Sequence, residues 1–235
     1  MTAVADLRFV LTPGHRCSYL PDREARTLFV DPAVTLNSPL YQQLSQVGFR
    51  RSGSYVYRPA CAACKACIAT RVIVADFAPD RRQRRILRRN EDLQVRFAVT
   101  PQAADLYALY ARYIEQRHGD GDMYPPTREQ YESFLLGTWS DTRIVTLTHA
   151  DRVLAAGVVD FLDDGLSAVY TFFDPAAASR SLGTHMVLAE IELARDLGLP
   201  YVYLGYWVKD CRKMNYKIEF RPLEMYVDDH WQRSK

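Results

Sequence analysis

No stretch of this chain approaches the roughly 20 consecutive apolar residues that a membrane-spanning helix requires. Its opening residues, MTAVADLRFVLTPGHRC, hold neither a basic leader nor a long apolar run, so secretion is not expected and the chain reads as cytoplasmic. Cysteine is scarce: there are five in 235 residues, and an odd count without a leader argues against a disulfide scaffold. Internal repeats, low-complexity tracts and linkers are missing. So are a Ser-His-Asp grouping, an HExxH pair and a Walker-type loop, which removes the chemistries those motifs carry. The histidines, His15, His118, His149, His185 and His230, are scattered and read as structural.

What is present is ordinary in bulk and uneven in detail. Hydrophobic residues make up 48% and charged residues 25%, as in a globular protein of one large domain or two small ones. The net charge of +2 hides an asymmetry. Residues 1–100 carry 16 Lys+Arg against 8 Asp+Glu, a balance of +8; the rest carry 14 against 20, a balance of −6. A basic part joined to an acidic part suggests that one of them meets a polyanion.

From residue 93 the periodicity is legible. Leu93–Val99 alternates as a half-buried strand, Pro101 opens a helix with Leu106, Leu109, Tyr110, Tyr113 and Ile114 at helical spacing, and 119–126 is a loop. Thr127 with Gln130 caps a second helix. Strands follow at Arg143–Thr148, Val153–Phe161 and Leu166–Phe173, the last two joined by the hairpin turn Asp163-Asp164-Gly165. A helix over Leu182–Leu197 stops at Gly198 and Pro200; a strand at Tyr201–Leu204, a helix at Lys209–Lys217 and a strand at Leu223–Val227 close the chain. The order β-α-α-β-β-β-α-β-α-β is that of the GCN5-related N-acetyltransferase fold, an α+β mixed sheet whose central strands splay apart. The expected division is a smaller basic, cysteine-containing region at 1–92, with strands at Ser54–Arg58 and Thr70–Phe77, and an acetyltransferase-like domain at 93–235.

Four motifs carry chemistry. Six arginines, Arg81, Arg82, Arg84, Arg85, Arg88 and Arg89, crowd into nine residues after Asp80. On a helix Arg81, Arg85 and Arg88 share a face that suits several phosphates, against the alternative of a solvated surface helix. Cys61, Cys64 and Cys67 are spaced to chelate zinc or an iron–sulfur cluster, with Cys17 a candidate fourth ligand; the alternative is four small apolar side chains. Arg180, Gly183 and Thr184 precede a long helix where acetyltransferases hold the pyrophosphate of coenzyme A. His185 is too bulky for that ligand, so a different donor ending in adenosine, or no ligand, is expected there. In the segment 210–222, Lys217 or Tyr216 can steady an oxyanion and Glu219 can hold an amine, as acyl transfer to nitrogen requires; a charged surface helix is the alternative.

The stretches CSYLPDREARTLFVDP (17–32), YQQLSQVGFRRSGSYVYRPAC (41–61), CKACIATRVIVADF (64–77), RRQRRILRRN (81–90), GLSAVYTFFDP (165–175), SLGTHMVLAEIELARDLGLPYVYLGYWV (181–208) and CRKMNYKIEFRP (211–222) cover most of the chain. On them the chain resembles the bacterial aspartate/glutamate leucyltransferases, relatives of eukaryotic arginyl-tRNA–protein transferases. The resemblance implies transfer of Leu from leucyl-tRNA to proteins with N-terminal Asp or Glu, marking them for degradation. The tRNA ester is already activated, so neither ATP nor coenzyme A is needed. The arginine stripe then meets tRNA, and Arg71, or else Arg221, pairs with the acceptor's side-chain carboxylate. The arginyl relatives associate a metal or iron–sulfur site with a CxxC pair and a Cys-Cys pair. Here Leu20 and Lys65 stand at two of those positions, which puts an equivalent site in doubt. An arginyl donor, a coenzyme-A-dependent N-acetyltransferase, and an RNA-binding or thiol metal sensor stay open as alternatives. Oligomeric state is not indicated.

Overall fold

The computed structural model describes residues 4–98, 106–121, 123–135 and 139–234. The elements in chain order are β1 (Phe9–Leu11), β2 (His15–Arg16), β3 (Glu24–Ala25), β4 (Thr27–Val30), α1 (Ser38–Gln46), β5 (Arg50–Ser52), β6 (Tyr55–Pro59), β7 (Ile68–Ile73), α2 (Arg81–Arg89) and β8 (Gln94–Ala98). They continue with α3 (Tyr107–Arg117), α4 (Arg128–Leu135), β9 (Thr142–His149), β10 (Arg152–Leu162), β11 (Gly165–Phe173), α5 (Leu182–Asp196), β12 (Tyr201–Trp207), β13 (Leu223–Val227) and β14 (His230–Arg233). Short 3-10 segments at Pro175–Arg180 and Asn215–Glu219 precede α5 and β13.

Eight strands form one mixed sheet in the order β14-β13-β7-β12-β11-β10-β9-β8. Every neighbouring pair is antiparallel except β11 and β12. Those two are parallel and pair over three residues only, Gly165–Tyr201 to Ser167–Tyr203, although they run for nine and seven residues. Beyond Ser167 they part and leave a wedge. One face of the sheet carries α5, packed through Leu182, Met186, Val187 and Ile191 onto Val145, Leu147, Ala155 and Val159. The other carries α3 and α4, whose Tyr110, Ile114, Tyr131 and Leu135 close over Ile144, Val158 and Phe172. Each such fully buried side chain contributes about 1.5–3 kcal/mol, against the entropy of ordering the chain. A four-stranded sheet, β1-β4-β6-β5, and α1 pack against the large sheet through Tyr41, Leu44, Phe49 and Val56 onto Leu162 and Tyr203.

The expected strands of the C-terminal part recur with ends shifted by at most three residues, the helix expected from Pro101 begins at Tyr107, and the Thr127 hydroxyl accepts from the Gln130 amide at 3.1 Å as its capping role requires. Val99 and Pro101, read as a strand end and a helix start, lie outside the described residues. Three expectations change. The helix at Lys209–Lys217 is a run of turns ending in a 3-10 segment, because the chain doubles back to bring the Lys217 ammonium onto the carbonyl of Tyr206. The strand at Thr70–Phe77 is β7, ending at Ile73, after which Val74 and Phe77 turn into the core under α5. And β7 does not stay with the N-terminal region: it runs between β12 and β13, so the large sheet crosses residue 92. Its buried middle, Ala69 to Val72, accounts for that central place.

Candidate active site

The wedge between β11 and β12 is closed at its narrow end by Arg50. Its Nη1 donates to the Tyr203 carbonyl on β12 at 3.3 Å, and its Nη2 to the Ala168 carbonyl on β11 at 2.6 Å. The guanidinium therefore bridges the two strands one step past their last pairing. It is buried, and no carboxylate pairs with it among the described residues. Gly205 makes room for it: a Cβ there would lie 3.3 Å from Arg50 Nε, and the backbone at φ +81° favours glycine.

Three ionisable groups stand nearby. Lys217, 5% exposed, donates from Nζ to the Tyr206 carbonyl at 2.7 Å. Burial, with the repulsion of Arg50 added, pulls it down to about 7, against a smaller upward pull from Cys211 and Cys67. An amine buried in this way is partly neutral at physiological pH and can accept a proton. Next to it Tyr216 keeps its ring half-open to solvent but turns its hydroxyl inward, where burial and the Glu190 carboxyl push it up to about 12. Glu190, on α5, is the third group.

Arginine helix α2 is lashed to both rims of this wedge. Its Asp80 N-cap forms a capping box with Gln83, whose side chain also donates to the Glu219 carbonyl at 2.9 Å. At its other end Arg89 donates to the Ser179 carbonyl and Asn90 to the Arg180 carbonyl. The helix thus ties the turn bearing Tyr216 and Lys217 to the loop before α5. All six arginines are exposed, with Ile86 buried. Arg82 pairs with Glu219 and Arg84 with the Pro79 carbonyl; Arg81, Arg85 and Arg88, the expected common face, have no ion-pair partner among the described residues.

A cleft of about 380 Å³ opens beside the wedge, with Tyr206 in the wall they share. The basic residues Arg23, Arg58 and Lys65 line it without an ion-pair partner among the described residues. Cys17, Cys61, Cys64 and Cys67 line it too, near enough that the other thiols add to burial in pushing Cys67 up to about 12. Thiols in one cleft suit a thiophilic metal. Their geometry does not: among the described residues no three His, Cys, Asp or Glu side chains are placed to share an ion. Cys61 Sγ instead accepts from the Arg26 amide at 3.5 Å.

Several residues singled out from sequence are engaged elsewhere. Arg71, assigned to the acceptor's carboxylate, donates from Nε to Glu224 at 2.7 Å and from Nη1 to the Tyr203 hydroxyl at 3.1 Å. Its guanidinium lies between the rings of Tyr201 and Trp231, so it is a cross-strand staple. Glu219, assigned to the amine, is held by Arg82. Arg180 forms a bidentate pair with Asp92, both bonds 2.8 Å, which occupies the fork that a pyrophosphate would use. Gly183 packs beside the Phe173 ring in the first turn of α5, with Thr184 half-buried next to it. Arg221 is exposed and donates to the Ile218 carbonyl. Sequence reasoning missed Arg50 and Glu190. Glu190 left a signal, since it falls on the apolar stripe of α5, four residues after Met186 and four before Ala194.

Comparison with known proteins agrees with a transferase. Two family models match: the C terminus of arginine-tRNA-protein transferase over residues 105–227, and its N terminus over 15–85. An aspartate/glutamate leucyltransferase of Alcanivorax borkumensis is 53% identical over 234 residues, 100% of this chain and 97% of the relative. One of Marinobacter nauticus is 52% identical, covering 98% of each chain. Among solved structures, the C-terminal domain of a putative lysylphosphatidylglycerol synthetase from Agrobacterium fabrum is distantly similar, at 15% identity and a TM-score of 0.46 over 82% of this chain and 66% of that one. No helix among the described residues is long and apolar enough to cross a membrane.

Proposed function

Because the chain belongs to the arginine-tRNA-protein transferase family, with the aspartate/glutamate leucyltransferases as its near relatives, we infer that it moves leucine from leucyl-tRNA to the N-terminal amine of proteins beginning with Asp or Glu. The observation that carries the site is the wedge: two parallel strands that part after three pairs, with an unneutralised guanidinium at the apex and an amine of lowered pKa beside it. We propose that the sheet is that of the GCN5-related N-acetyltransferases, which its β-α-α-β-β-β-α-β order from β8 and the parting of β11 and β12 support.

The ester carbonyl of the donor enters the wedge toward Arg50. Two of the five guanidinium N–H groups are used on Tyr203 and Ala168, and the remainder can face a developing oxyanion in a site of low dielectric. The acceptor enters from the cleft, its side-chain carboxylate meeting Arg58, Lys65 and Arg23 in place of Arg71. Its α-amine attacks the carbonyl carbon, a C–N bond forms and the C–O bond to the tRNA ribose breaks. Neutral Lys217 takes the proton that the amine loses and hands it to the departing ribose oxygen, which leaves with the electron pair of the C–O bond, so the balance closes and the base is restored. Helix α2 holds the tRNA backbone through Arg81, Arg85 and Arg88 alongside. No cofactor enters this chemistry, since the ester bond supplies the driving force. The product, a protein with a new N-terminal Leu, is marked for degradation in the cytoplasm.

The test is incubation with radiolabelled leucyl-tRNA and peptides beginning with Asp, Glu or Ala. Label is expected in the Asp and Glu peptides and not in the Ala peptide. Absence of transfer from leucyl-tRNA and every other charged tRNA tried would end this reading. Replacing Arg58 and Lys65 by Ala is expected to raise KM for the acidic peptides about tenfold, as loss of a charge-assisted pair does.

A further inference from the structure

Glu190 is out of place by the rules of protein interiors. It is 1% exposed, and neither carboxyl oxygen has a hydrogen-bond partner among the described residues. Buried carboxyls are ordinarily paired, because an unmet polar group inside a protein costs about 1–3 kcal/mol. The fold nonetheless makes space for this one. A Cβ on Gly157 of β10 would stand 2.8 Å from Met186 Sδ and 3.0 Å from Glu190 Oε1, so a larger residue there would crowd both the thioether and the carboxyl. Gly157 is paired with Thr171 of β11, four residues beyond Ser167, the last residue of β11 that pairs with β12. Glu190 therefore lies beside the open part of the wedge. Arg50 is close enough to favour its ionised form, against burial, which raises it to about 8.

On the reading that leucyl-tRNA is the donor, we propose that Glu190 is the seat of the α-ammonium of the esterified amino acid. That group is the only cation on the donor next to the reacting carbonyl, and its chemistry matches a carboxyl without a partner. A donor amine that arrives neutral takes the proton of Glu190; one that arrives charged displaces that proton to solvent. Either way an ammonium–carboxylate pair results. The arrangement also solves a problem peculiar to this reaction, which brings together two α-amines of similar basicity. The donor's must stay protonated and inert, the acceptor's must be neutral. Glu190 fixes the first and Lys217 unloads the second.

The experiment compares two donors on wild-type protein with an Asp-initiated peptide. They are leucyl-tRNA and the same tRNA esterified with 2-hydroxy-4-methylpentanoate, in which a hydroxyl replaces the ammonium. Wild type is expected to use the hydroxy donor about 10- to 100-fold less efficiently in kcat/KM, the range for a lost charge-assisted hydrogen bond. The E190Q variant is expected to transfer leucine with a similar loss and to treat the two donors alike. Equal use of both donors by wild type overturns the assignment while leaving leucyl transfer intact. So does a variant that slows both donors but keeps the discrimination, which places the ammonium elsewhere. Failure of wild type to transfer leucine at all overturns the functional reading together with this one. The wild-type comparison needs no mutant, so it stands even if E190Q does not fold.

Discussion

Arg50 and Arg51 are neighbours on β5, and strand alternation sends their side chains to opposite sides. Arg51 meets Asp160 in a bidentate pair, Nε to Oδ2 at 2.6 Å and Nη2 to Oδ1 at 2.9 Å, with both side chains fully buried. Thr142 and the Gly53 carbonyl take up further hydrogen bonds. Arg50 is buried almost as deeply, yet among the described residues it donates to two carbonyls and forms no ion pair with a carboxylate. Arg71 follows the Arg51 pattern, with Glu224 across the strand. Among the described residues, the buried cations Arg51 and Arg71 come with a carboxylate already fitted, and the two buried cations without one, Arg50 and Lys217, lie by the wedge where two strands part. An isolated charge in a protein interior is costly and serves folding poorly. The difference separates residues that hold the fold from residues kept ready for a substrate.

The sharpest way to test that division is at Lys217, whose lowered pKa depends partly on Arg50. Lys217→Met is expected to lower kcat about 10²–10⁴-fold, the usual contribution of a positioned proton acceptor. The base must be neutral to act, so wild-type turnover should rise with pH through about 7 and then level, and the variant should lose that limb. A pH–rate profile at saturating donor checks both. Next in size, Arg51→Met leaves Asp160 buried without its partner and is expected to cost about 3–5 kcal/mol in urea unfolding. The folded fraction should keep its transfer rate; a loss of rate without a loss of stability would erase the distinction between the two arginines. Smallest is the effect on α2. Each of Arg81→Ala, Arg85→Ala and Arg88→Ala is expected to reduce the slope of log affinity for tRNA against log salt by about 0.7–0.9, with kcat unchanged. Filter binding across a salt series reads it directly.

Much of the fold was legible because amphipathic periodicity reports burial. The strands β9, β10 and β11 and helix α5 alternate or repeat in their apolar residues and sit within a few residues of where that pattern places them. The arginine helix and its exposed face were equally readable, since six arginines in nine residues after Asp80 cannot be buried together, while its capping box with Gln83 came to light in the structure. Long-range pairing was not readable. Nothing local to residues 68–73 states that β7 is paired with β12, more than 120 residues away, or that Arg71 finds Glu224 across the next strand. The same gap hid the site. Lys217 and Tyr216 stood out by chemical type, but Arg50 becomes meaningful only once Tyr203 and Ala168 are brought to either side of it. Glu219 and Arg180 looked reactive in sequence because their partners, Arg82 and Asp92, come from elements about 140 and 90 residues away.

The claim that the unpaired arginine belongs to the substrate is tested most directly by the single-turnover rate of leucine transfer in Arg50→Met, measured beside its melting temperature. Removing a buried charge that lacks a carboxylate should leave the melting temperature unchanged or higher, and loss of an oxyanion donor should slow transfer about 10²–10³-fold. A variant that melts well below wild type yet transfers leucine at the wild-type rate would make Arg50 a second Arg51, and the wedge would no longer be the place of reaction.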